Sequence, residues 1–123
     1  MPAPNRQGIF DYPFMKLETE EASYVSAGVI AYPGSDVEGT PTKISVVCGK
    51  KGGTTTFSVR IFDKTNALVI AADYNKDDDY PALRDLGAIS NVSEGPAIWE
   101  VQIKKTAGVA GKVVTAASVV MEF

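Results

Sequence analysis

Between residues 71 and 85 the chain reads AADYNKDDDYPALRD, with Asp73, Asn75, Asp77 and Asp79 at every second position. Oxygen ligands at alternating positions are what the first half of a calcium loop supplies. Ca2+ takes roughly six to eight oxygens, and a helix-loop-helix site offers them from about positions 1, 3, 5, 7, 9 and 12, with glycine at 6. Counted from Asp73, the first three ligand positions fit. The required glycine is replaced by Asp78, the ninth position is Pro81, and the last is Arg84, a cation where a bidentate carboxylate is needed. The preceding LVIAA also reads as a strand. That leaves a looser calcium site at Asp73, Asp77 and Asp79, set against a solvated turn in which clustered aspartates favour bends and Arg84 offsets part of their charge. The turn is the preferred reading.

Little else in the chain suggests a reaction. The sequence has no histidine, which removes the commonest general base and metal ligand. Cys48 is the only cysteine and lies in the apolar run ISVVC, so it reads as a buried, inert thiol that cannot form an internal disulfide. GKKGGTTT has its lysines ahead of the second glycine and a strand after it, which predicts a hairpin turn in which Gly52 and Gly53 supply positive φ, not a phosphate loop. Catalysis would rest on carboxylates alone, and no enzyme activity is expected. A carbohydrate-binding β-sandwich is the stronger competitor. Its sugar would stack on Tyr74 and Tyr80 and hydrogen-bond to Asp77 and Asp79, whereas Trp99, in phase with Val101 and Ile103, belongs to the core.

A net charge of -3 gives no basic field for nucleic acid or an anionic membrane. No apolar run reaches the roughly 18 residues of a spanning helix, and MPAPNRQGIFDYPFMKLETEE lacks the apolar centre of a secretory signal. Expression and folding in a reducing cytoplasm follow as expectations.

The elements that must position any site are strands. TFSVRIF alternates Phe57, Val59 and Ile61 with Thr56, Ser58 and Arg60, and AIWEVQIKK sets Ala97, Trp99, Val101 and Ile103 against Glu100, Gln102 and Lys104. KISVVCGK, ALVIAADY and KVVTAASVVMEF are partly apolar on both faces. PGSDVEGTP, GKKGG, DKTN, NVSEGP and AGVAGK punctuate these runs. The pattern predicts an all-β, antiparallel sandwich, jelly-roll-like, of about seven to eight strands. A single helical turn is expected at YPALRDLG, opened by Pro81 and closed by Gly87.

Residues 1–22 read as an extended N-terminal arm or a first strand, ahead of a sandwich domain at 23–123. Their Ile9, Phe10, Tyr12 and Phe14 are too apolar for an indifferent tail. In VVTAASVVMEF strict alternation gives two rows, Val113, Thr115, Ala117, Val119, Met121 and Phe123 against Val114, Ala116 and Val120. The second row needs a cover, from the arm or from another subunit. The expected assembly is therefore a homo-oligomer, with a trimer among its orders, and contacts through Ile9, Phe10, Tyr12, Phe14, Met121 and Phe123.

The succession TKISVVCGKKGGTTTFSVRIFDKTNALVIAA, LGAISNVSEGPAIWEVQIKK and VVTAASVVMEF, over about residues 40 to 123, resembles small jelly-roll structural proteins of tailed bacteriophages. That resemblance implies a virion component (capsid decoration, head fibre or tail-associated) assembled in the host cytoplasm. It further implies no catalytic residues and termini used as arms on neighbouring subunits; contacts with other virion proteins, no cofactor beyond the calcium candidate, no nucleic acid and no membrane are expected.

Overall fold

The computed structural model describes residues 9–123, with side chains from Lys16 onward. Eight strands form in chain order: β1 (Ile9–Thr19), β2 (Val25–Tyr32), β3 (Lys43–Lys50), β4 (Thr56–Asp63), β5 (Leu68–Lys76), β6 (Ala82–Asp85), β7 (Ala97–Ala107) and β8 (Val114–Glu122). One short helix, α1 (Ser35–Glu38), follows β2. The strands make two four-stranded sheets, β1-β8-β3-β6 and β2-β7-β4-β5.

The pairing is nested. β1 pairs with β8, β2 with β7, β3 with β6 and β4 with β5, all antiparallel. Only β4 and β5 are joined as a hairpin; every other connection carries the chain from one sheet to the other. A long hairpin rolled up in this way is the jelly roll.

Alternation predicts the inner layer well. Phe57, Val59 and Ile61 of β4 face Ile44, Val46 and Cys48 of β3 across the sandwich, all at 0% exposure. Trp99, Val101 and Ile103 are equally buried, and Tyr32 stacks on Trp99 at 4.1 Å between ring centroids. Burying side chains of this size stabilises the fold by roughly 1.5–3 kcal/mol each before entropy is counted. At the DKTN turn, the fully buried Asp63 accepts hydrogen bonds from the Asn66 backbone N–H at 2.9 Å and its Nδ2 at 2.7 Å. The tip of the one hairpin is thereby fixed.

Three expectations change. YPALRDLG is not helical: Ala82–Asp85 is strand β6, whose residues pair with Cys48 to Ser45 of β3. A partner strand supplies backbone bonds that an isolated turn of helix would lack. The helix forms instead in PGSDVEGTP, where the Val37 and Glu38 N–H groups donate to the Gly34 carbonyl. GKKGG does take positive φ at Gly52 (88°) and Gly53 (70°), but as a corner between sheets, since β3 and β4 are not paired. Finally, one step on β3 (Val47 to Cys48) matches two on β8 (Ser118 to Ala116), so Ala117 is the extra residue of a bulge. The bulge switches the alternation. The inward row is Val114, Ala116, Val119 and Met121, and the outer face keeps only Val120 as a large apolar residue. The second apolar row, and the cover it demanded, disappear with it.

Candidate functional site

The acidic stretch closes one long seam of the sandwich. Asp73 is on β5 and Arg84 on β6, which belong to different sheets. The Arg84 Nη1 donates to Asp73 Oδ2 at 2.8 Å, while its Nη2 and Nε grip both oxygens of Asp78, the former at 2.9 Å. A guanidinium thus sits among the carboxylates and ties β5, the following loop and β6 together. It holds the Asp78 carboxyl below its ordinary range. Gly49 lets this loop lie against β3. A Cβ there would stand 2.4 Å from the Tyr80 nitrogen, and the Lys50 N–H donates to the Asp78 carbonyl at 2.8 Å.

Of the candidate calcium ligands, Asp73 pairs with Arg84 and with Lys76 (3.4 Å), and Asp79 with Lys50 (3.6 Å); Asp77 accepts from the same lysine through its carbonyl at 2.7 Å. Among the described residues no group of three or more potential ligands converges. The candidate sugar contacts do not share one mouth. Tyr74 is exposed on β5, near Tyr24, whereas Tyr80 rests between Lys16 and Lys51, about 6 Å from each ammonium. Cys48 lies fully buried beside the Arg84 cluster, and burial pushes its thiol up to about 12.

The backbone of Ile9, Phe10 and Tyr12 pairs with Glu122, Met121 and Val119, so this segment lies along β8 as the edge strand of its sheet. The side chains of Ile9, Phe10, Tyr12 and Phe14 fall outside the described ones. Met121 is 1% exposed and part of this chain's own core, because the bulge turns it inward, so it is not available to a second subunit. Phe123 is half-buried and packs on that core.

The richest surface was not anticipated. On the outer face of β2-β7-β4-β5, Arg60 stacks against Tyr24 (3.9 Å to the ring centroid) and Phe62 (4.6 Å). Its Nε donates to Gln102 Oε1 at 2.7 Å, and Gln102 Nε2 donates to Glu100 Oε1 at 2.8 Å. Lys104 lies 4.6 Å from the Tyr24 ring on the same face. Further along, Val29 is 63% and Ile98 43% exposed. They lead to a shallow apolar hollow of about 310 Å3 lined by Tyr32, Pro33, Thr65, Pro96 and Ile98. Alternation in TFSVRIF and AIWEVQIKK does put Arg60, Glu100, Gln102 and Lys104 on polar rows. Only the register that sets Arg60 opposite Gln102, and the corner that delivers Tyr24, turns those rows into one cluster.

No family model matches this chain, and no curated protein matches it. Among solved structures, it is similar to the infectious bursal disease virus VP2 subviral particle, with TM-score 0.55 and 9% identity over 93% of this chain and 32% of that one. It is also similar to the structure of the infectious bursal disease virus Gt strain, with TM-score 0.51 and 10% identity over 95% of this chain and 33% of that one. The chain therefore spans about a third of the length of the viral chains it resembles, 32% and 33%. At such identity the likeness is one of fold: this chain has the jelly-roll-like β-sandwich of a viral particle protein.

Proposed function

We propose that this protein is a non-enzymatic structural component of a virus particle and works through subunit contacts. The observation that carries the reading is the nested eight-strand topology, together with a likeness of fold over 93% of the chain to a subviral-particle protein. The finer assignment is a minor component of a tailed-phage virion, such as a capsid decoration, head fibre or tail-associated protein. It would be assembled in the host cytoplasm as a homo-oligomer and docked on other virion proteins. Two surfaces support contact. One is the segment holding Ile9, Phe10, Tyr12 and Phe14 at a sheet edge; the other is the run from Val29 through Ile98 to the apolar hollow. Exposed apolar residues that continue into a hollow gain most from being covered.

The test is absolute mass by light scattering after size exclusion, with calcium and then with chelator, on the full chain and on a Val29→Glu, Ile98→Glu double variant. A stable oligomer in both conditions that the double variant weakens is the expected result. A monomer at high micromolar concentration in both conditions overturns assembly through self-contacts. An oligomer that dissociates in chelator assigns Asp73, Asp77 and Asp79 a cation after all.

A further inference from the structure

We propose that the outer face of β2-β7-β4-β5 binds a carboxylate-bearing sugar, with Arg60 as its anchor. This site is independent of the particle reading, since a virion component and a free-standing module can equally carry it.

Arg60 is immobilised but not neutralised. Its guanidinium is held between the Tyr24 and Phe62 rings, at 3.9 and 4.6 Å, and its Nε is committed to Gln102. Among the described residues no carboxylate pairs with it, and its two terminal nitrogens have no acceptor. A planar guanidinium fixed in this way presents two parallel N–H groups, the geometry that matches a carboxylate. Lys104, likewise without a described carboxylate partner, adds a second positive charge beside the same ring. Two cations against the one carboxylate of Glu100 make this face complementary to an anion, on a chain whose net charge is -3.

The surroundings specify the rest of the ligand. Tyr74 is 57% exposed and offers an open ring face, as a pyranose requires for stacking. Among the described residues Glu100 is bonded to Gln102 through one carboxylate oxygen, which leaves the other to accept from a sugar hydroxyl. A simple acidic side chain would use the fork and leave these groups idle. A phosphate or polyanion would bring more negative charge towards Glu100 than a single carboxylate does. Because rings and amides already hold Arg60, little side-chain freedom is lost on binding.

The experiment is an amide NMR titration of the full chain with glucuronic acid and N-acetylneuraminic acid, against glucose, acetate and inorganic phosphate. The expected result is saturable shifts confined to residues 58–62, 74 and 100–104 with at least one acidic sugar. Glucose, acetate and phosphate should each bind at least about tenfold more weakly. Arg60→Gln should abolish the response, Arg60→Lys should weaken it about tenfold by removing the fork while keeping the charge, and Lys104→Gln should weaken it a few-fold. If Arg60→Gln loses the native amide pattern, the Lys and Lys104 variants carry the test. No saturable response, equal binding of glucose, or unchanged affinity in Arg60→Lys and Lys104→Gln overturns the proposal. Acetate or phosphate binding as tightly as the acidic sugars also overturns it, leaving a plain anion site.

Discussion

Arg60 and Arg84 lie on the two sheets of one small sandwich and are restrained in opposite ways. Arg84 bonds to two carboxylates, Asp73 and Asp78, and in doing so joins strands of different sheets. Arg60 is held by two aromatic rings and an amide, all on one face of one sheet. In the first case the charge is matched and the gain is structural. In the second the side chain is ordered but its charge is still available. A charged group's role in this molecule is thus read less from its burial, since both are only partly exposed, than from whether its partner is an ion.

The contrast can be broken most severely from the backbone. Gly49→Ala places a methyl group 2.4 Å from the Tyr80 nitrogen, forces the loop that carries Asp78 away from β3, and should cost about 2–3 kcal/mol in denaturant unfolding. Arg84→Ala leaves Asp73 and Asp78 without their cation. With solvent still reaching about a quarter of the side chain, the expected loss is about 1.5 kcal/mol, against less than about 1 kcal/mol for Arg60→Ala, which gives up ring stacking and one hydrogen bond. Equal losses in the two variants would remove the distinction.

Acid should separate the two sites as well. Asp78 titrates below its ordinary 3.8 in the folded chain, so its contribution is fully present above that value and is lost as pH falls through the lower, folded one. Stability of the wild type should therefore drop more steeply below about pH 4 than that of Arg84→Ala, while Arg60→Ala should follow the wild-type slope. Cys48 offers the finest readout. Its thiol is buried beside the Arg84 cluster and raised to about 12, so alkylation at pH 8 should require opening of the fold. It should quicken several-fold in Arg84→Ala and stay at the wild-type rate in Arg60→Ala.

How much of this was legible beforehand differs between the core and the surface. Alternation alone placed Phe57, Val59, Ile61, Trp99 and Val101 inside, because a two-residue period is a local property of the chain. It failed on β8, where the extra residue Ala117 reverses which side chains point inward; nothing in VVTAASVVMEF marks that insertion, which exists only relative to β3. It failed on YPALRDLG for a similar reason. The local signals of Pro81 and Gly87 fit a helical turn, but a neighbouring edge of β3 was there to be paired. Arg84 was expected to offset the aspartates and does so, yet its joining of two sheets could be seen only once β5 and β6 were assigned to opposite layers. The Arg60 cluster depends on the β4–β7 register and on the corner before β2 together, and had no signature in any single segment.

The nested pairing also constrains how the chain can be made. β8 lies between β1 and β3, so the first sheet has a gap in its middle until residue 122 is available. While the ribosome is still adding β8, β1 has no strand to pair with and the long edge of β3 faces solvent. Only the β4–β5 hairpin and its immediate neighbours can settle early. An unpaired β3, with Ile44, Val46 and Cys48 on its inner face, is a template for another nascent chain in the same state. Synthesis rate and temperature during expression should therefore affect the yield of soluble protein more than the stability of the finished fold would suggest.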